Sequence, residues 1–121
     1  MTNSRIKWFP NQQEIVWVNF QPSSNSELRG RYPAVVLSTQ GFSKITGQVA
    51  VSPITHATNN RLKDMFIPVL NNSQIQGYVN PLQFHTFSLI GRKIISTQTF
   101  LDDEAFMNVI RRHEQILDIY N

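Results

Sequence analysis

The chain has no cysteine among its 121 residues. That removes any disulfide framework and any thiolate metal site. Charge is sparse as well, with charged residues making up 16% of the chain. Glycine and proline number only five and six, and no low-complexity or repeated segment is visible. No stretch of 18 or more apolar residues occurs, which excludes a spanning helix of the usual kind. Arg5 and Lys7 near the N-terminus are not followed by an apolar core, so no secretory leader is expected. The three histidines, His56, His85 and His113, lack H-x-H or H-E-x-x-H spacing. There is also no glycine-rich phosphate loop and no G-x-S-x-G elbow. A metal or nucleotide cofactor is therefore not expected, and a cytoplasmic location is the default.

What is present is a chain of one-domain length, expected to fold as a single unit over residues 1–121 with a real core. Hydrophobic residues make up 40% of it, which fits a globular protein and argues against disorder. Charge is unevenly distributed. Residues 1–101 carry nine Lys/Arg against three Asp/Glu, whereas residues 102–121 carry two against five. A basic body with an acidic tail segment is compatible with a polyanionic partner such as nucleic acid. The same charges equally fit an ordinary solvated surface.

The most informative stretch is 14–38. Two short runs rich in β-branched and aromatic residues flank a loop bounded by Pro, Gly, Ser and Asn. The loop carries Glu27, Arg29 and Arg31, and loops held by rigid strands are where binding and catalytic groups concentrate. Residues 40–47 read as a turn and 48–52 as a third strand stopped by Pro53. Residues 65–70 read as an edge strand because Pro68 cannot donate to a ladder. Further strands are expected at 74–79, 84–87 and 94–99, with Gly77 marking a bulge or a close backbone approach. Trp8 and Phe9 are expected to pack against the body. Asp102, Asp103 and Glu104 sit where acidic groups favour a helix start. Ala105, Phe106, Val109, Ile110, Ile116, Leu117 and Tyr120 then form one apolar helical stripe that also carries His113. The expected fold is α+β: a small, bent antiparallel sheet or barrel with a C-terminal helix.

The polar groups left at strand ends are Glu27, Arg29, Arg31, Ser52, Thr55, His56, Asn80, Gln83 and His85. Metal-free cleavage of RNA needs a base for the 2′-OH, donors for the phosphoryl oxygens and an acid for the leaving 5′-oxygen. Arginine suits the second role because its planar fork grips phosphate with two donors. Spacing alone does not select this chemistry, since each residue singly also fits a surface or capping role.

The strings EIVWVNFQP (14–22), SE (26–27) and GRYPAVVLS (30–38) resemble the opening of the MazF/PemK toxin family. SPIT (52–55), GYVNPLQFHT (77–86) and LDDE (101–104) resemble later elements of that family in the same order. The resemblance implies a Src-homology-3-like barrel of bent antiparallel strands, PemK/CcdB-like, with a C-terminal helix. It implies the toxin of a type II toxin–antitoxin system: a cofactor-free, metal-independent, sequence-selective endoribonuclease acting on single-stranded mRNA. It further implies a homodimer and a cognate antitoxin whose disordered tail occupies the RNA groove. By the resemblance, Glu27 matches the acidic loop residue and Thr55 the threonine that works with arginine at the scissile phosphate. The family's arginine stands directly before the proline, where this chain has Tyr32, and Arg31 lies one residue earlier. Where the PemK branch has Arg-x-Asp-Gln, this chain has NPLQ (80–83), keeping only Gln83; His85 and His56 are the available substitutes. Arg31, Thr55, Glu27 and His85 are thus the expected catalytic set. Arg29, Tyr32, Ser52, His56, Asn80 and Gln83 are the expected RNA-binding set. Two other readings of the scaffold stand beside this one. They are a non-cleaving toxin that binds a protein such as DNA gyrase, as the CcdB-type toxins do, and an RNA-binding module without activity.

Overall fold

A computed structural model of the chain describes residues 6, 8–19, 31–56 and 61–118. Among these, seven strands form one antiparallel sheet: β1 (Glu14–Asn19), β2 (Arg31–Val36), β3 (Gln48–Thr55), β4 (Ile67–Pro68), β5 (Tyr78–Val79), β6 (His85–Ser88) and β7 (Ile95–Phe100). Two helices, α1 (Gln40–Thr46) and α2 (Asp103–Leu117), complete the described structure. The strands run in the order β4-β5-β3-β2-β1-β7, and β6 pairs with β3 beside β5. Pro68 does fall on the edge strand.

The sheet buries both faces, which is why its strands read as near-continuous apolar runs. Alternation sends Ile15, Val35, Ala50 and Ile54 to one face, where α2 covers them with Leu101, Ala105, Phe106 and Val109. Val16, Val18, Ala34, Val36, Val49 and Val51 point to the other face. There Leu89, Ile94, Trp8 and Phe9 close over them. The register between β1 and β7 shifts between Ile15 and Val16, a bulge that bends the sheet. Glu14 is buried at that bend, where it accepts from the Asn11 backbone N–H at 3.0 Å and from the Ser96 hydroxyl.

α2 is anchored at its start. The Asp102 side chain accepts from Ala105 N–H at 3.2 Å, and Asp103 and Glu104 occupy the first turn. Gln13, at φ 79°, accepts Leu101 N–H on its carbonyl and donates its side-chain amide to the Leu101 carbonyl and to Asp103, both at 2.7 Å.

Four expectations are corrected. Residues 40–47 are not a turn but α1 with its C-cap. Thr39 accepts from Phe42 N–H at 3.2 Å, and Gly47 takes the left-handed conformation that ends the helix. β3 does not stop at Pro53. The Pro53 carbonyl accepts from Asn80 N–H, so the missing N–H faces that same side and no β2 ladder bond is lost. The strands expected at 65–70 and 74–79 shrink to two residues each. A turn of 3₁₀ helix precedes the first, and Asn72 holds the start of the second stretch by accepting from Gln74 and Ile75 N–H. Finally, the apolar stripe of α2 is buried only in its first half, since Ile116 and Leu117 are exposed. Tyr120 lies outside the described residues.

Candidate functional site

The β2–β3 register controls the site. Ala34 pairs with Pro53. Tyr32 and Thr55 lie just beyond this paired stretch, at neighbouring ends of β2 and β3. Tyr32, Thr55 and His56 all line a cavity of about 520 Å³ at this end of the sheet. Trp17, Pro33 and Ile54 provide its apolar wall, and residues 73–76 close its far side. Arg31, the strand residue before Tyr32, is not among the residues lining the cavity. Tyr32 is 49% exposed.

Gly77 makes this geometry possible. Its φ is +130°, and a Cβ there would meet the Thr55 carbonyl oxygen at 2.7 Å. Only glycine lets the 73–77 segment lie against the end of β3. The Gly77 carbonyl in turn accepts from Val69 N–H at 2.9 Å.

Ser52 and Gln83 belong to a different cluster. Ser52 is fully buried on the helix-covered face, and its hydroxyl donates to the Gln83 carbonyl at 2.6 Å. The Ser52 hydroxyl oxygen also lies 3.3 Å from His113 Nε2. Phe84 meets the His113 ring edge-on, with centroids 5.5 Å apart. Burial pushes the His113 pKa below its usual 6.5, partly offset by a backbone hydrogen bond with Pro81. This cluster fastens α2 to the sheet.

The remaining expected site residues are dispersed. His85 pairs with Val51, four residues and about 13 Å along β3 from Thr55. Its ring stacks on Phe87 at 5.3 Å, and the Arg92 guanidinium lies 4.4 Å from the centre of the Phe87 ring. Asn80 is a turn residue whose side chain accepts from Leu82 N–H at 3.0 Å. Glu27 and Arg29 lie outside the described residues. Tyr32, Thr55 and His56 therefore come together, Ser52 and Gln83 form the helix anchor, and Arg31, His85 and Asn80 stand apart from the cavity. Trp17, Ser73, Gln74 and Gln76 complete the cavity and were not foreseen. Reading 74–79 as a plain strand hid the last two, although Gly77 was a signal of close approach. Among the described residues, no group of three or more His, Cys, Asp or Glu is placed to hold a metal. No helix there is long and apolar enough to cross a membrane.

The comparisons agree on the kind of molecule this resembles. The family model for the PemK-like, MazF-like toxin of type II toxin–antitoxin systems matches residues 11–117. The endoribonuclease toxin MazF of Escherichia coli strain K12 is 37% identical over 49 residues, covering 40% of this chain and 44% of that relative. The match thus spans less than half of the relative's length. A MazE–MazF crystal structure from Deinococcus radiodurans superposes with a TM-score of 0.77 at 19% identity, covering 93% of this chain and 98% of that one. A mycobacterial endoribonuclease in complex with its cognate antitoxin gives 0.69 at 12% identity, covering 89% and 92%. The fold is a curled antiparallel half-barrel sheet with a C-terminal helix, as in MazF.

Proposed function

Because this chain belongs to the PemK-like, MazF-like toxins of type II toxin–antitoxin systems, we propose that it is a metal-independent endoribonuclease cutting single-stranded mRNA at selected sequences. The observation that carries this reading is the family match over residues 11–117, since relatives in that family are named endoribonucleases. In the proposed reaction the 2′-oxygen attacks the adjacent phosphorus, the bond to the 5′-oxygen breaks, and a 2′,3′-cyclic phosphate and a 5′-OH result. Glu27 takes the 2′-OH proton. Arg31 and Thr55 donate to the phosphoryl oxygens that gain charge. His56, which lines the same cavity as Thr55, protonates the leaving oxygen, with His85 as the second candidate for that proton. Arg29, Tyr32, Asn80 and Gln83 track the RNA strand, and Ser52 holds Gln83 in place. Residues 1–121 act as one domain and as a cytoplasmic homodimer. A cognate antitoxin neutralises it, as the Deinococcus and mycobacterial complexes suggest.

Single-stranded RNA incubated with the protein in EDTA is expected to yield cyclic phosphate ends. Arg31→Ala should lower the rate by about 100- to 1,000-fold, the usual cost of one transition-state donor. If dimeric protein cuts no RNA, this reading fails. Should Arg31→Ala stay active while Arg29→Ala is dead, the loop register is wrong. One feature favours a second reading, a non-cleaving toxin that binds a protein such as DNA gyrase. No Lys, Arg, Asp or Glu is among the described residues lining the cavity. Inhibition of gyrase supercoiling without RNA products would identify that activity.

A further inference from the structure

One face of α2 carries both of that helix's cations. Asn108, Arg111, Arg112 and Gln115 recur at the three- and four-residue spacing that sets side chains on a single helix face. With Ile67 of β4 they line a cavity of about 280 Å³ that shares no residue with the one beside Thr55. β4 is the edge strand, two strands out from β3, so about 10 Å of sheet separates Ile67 from β3.

Both guanidinium groups are oriented, and neither is neutralised. Arg111 donates to Asn108 Oδ1 at 3.0 Å, and Arg112, which is half-buried, donates to Gln115 Oε1 at 3.1 Å. A carboxylate at position 108 or 115 would orient the arginine and cancel its charge, whereas a carboxamide does only the first. Each guanidinium has five N–H donors in a fixed fork and uses one of them here. Among the described residues no Asp or Glu lines this cavity. Glu114 and Asp118 line a neighbouring cavity that shares Arg111 and Gln115. Glu104 stands seven residues before Arg111, about 10 Å along the helix axis. The segment leading into β4 adds exposed Arg61 and Lys63 against Asp64. Two uncompensated cations on consecutive residues repel, and an anion between them relieves that repulsion. The cavity is smaller than the roughly 300–1,000 Å³ of sites that enclose drug-sized ligands, which suits a compact anion. Phosphate matches best, because its oxygens accept the arginine fork two bonds at a time.

We propose that Arg111 and Arg112, held by Asn108 and Gln115, form a phosphate-binding site on α2 that is separate from the Thr55 cavity and does not depend on ribonuclease activity. The phosphate is either one group of a polynucleotide strand that reaches past the sheet edge or a free phosphate, and competition distinguishes the two. The test follows the Nε–H signals of Arg111 and Arg112 by NMR while inorganic phosphate replaces chloride at constant ionic strength. Both signals should shift and saturate. Arg111→Gln/Arg112→Gln should weaken phosphate binding about 10- to 150-fold, the range for losing one charge-assisted hydrogen bond. Arg111→Lys/Arg112→Lys keeps the charge without the fork and should recover only part of the affinity. A 2′-O-methyl oligonucleotide that displaces the phosphate, and whose binding to the glutamine variant has a salt slope shallower by about 0.7, assigns the site to an RNA strand. An oligonucleotide that leaves the phosphate in place assigns it to a free phosphate. Signals that stay unmoved by phosphate overturn the site, as does unchanged affinity in a glutamine variant with wild-type circular dichroism. A glutamate-rich peptide that saturates the signals where phosphate does not also overturns it, and marks a protein interface instead. If the glutamine variant fails to fold, the wild-type titration decides alone.

Discussion

At the scale of single residues, one glycine and one tyrosine govern the site. Gly77 combines a left-handed φ of +130° with a backbone that would bring a Cβ to 2.7 Å from the Thr55 carbonyl. Any side chain there adds backbone strain and forces the 73–77 segment away from β3. Gly77→Ala should therefore cost about 1–3 kcal/mol of stability, read as a lower urea midpoint with an unchanged slope. It should also lower RNA cleavage by more than the stability loss explains, because Thr55 and the 73–76 segment share one cavity. A variant with normal activity and normal stability would show that the close approach is not needed. Tyr32 is the other governing residue. It stands where the resemblance puts the family's arginine, so in the proposed reaction the charge that grips phosphate must come from Arg31 or from residues 20–30.

At the scale of elements, α2 is held at two points, its start, where Gln13 bonds Leu101 and Asp103, and the His113–Ser52–Gln83 anchor. The anchor makes helix docking sensitive to pH. Burial lowers the His113 pKa in the folded state below the usual 6.5, so the unfolded chain takes up the proton more readily. Stability is then full above about pH 6.5 and falls as pH drops through the folded-state pKa. Arg112 and Glu114 flank His113 on the helix, and Asp118 lies beyond it. His113→Gln keeps an N–H donor for Ser52 but cannot titrate. Melting temperature should fall by several degrees between pH 7.5 and 5 in wild type, and by less in His113→Gln. Equal slopes would assign the pH dependence to groups other than His113.

Much at this scale was legible from sequence. β1, β2 and α2 stood out because their apolar residues are buried in continuous or helical patterns, and the Asp102 cap announced where α2 starts. α1 was missed because its seven residues carry little apolar periodicity; its evidence lay in Thr39 and Gly47 as caps. β3 was cut short because a proline lacks a donor, and only the Asn80 contact reveals that the donor was not needed on the β2 side. The cavity was half legible. Tyr32, Thr55 and His56 came from the strand motifs, whereas Gln74 and Gln76 depend on a bend that local pattern reads as strand.

At the scale of the whole molecule, the proposed cleavage of RNA can be tested through the distribution of charge. Residues 1–101 carry the net positive charge, nine Lys/Arg against three Asp/Glu, while no Lys, Arg, Asp or Glu is among the described residues lining the cavity. Affinity for the strand should then be set by cations outside the cavity, and salt is the test. Each phosphate contact on a single strand contributes about −0.7 to the slope of log K against log salt. Arg31→Ala should make that slope shallower by about one such increment. Gln76→Ala, which removes an uncharged side chain from the cavity wall, should leave the slope unchanged, because it releases no counterion. The measurement is a titration of non-cleavable 2′-O-methyl oligonucleotide at several salt concentrations. If Arg31→Ala leaves the slope intact, Arg31 touches no phosphate, and the cation that stands in for the family's arginine must lie elsewhere in the basic body.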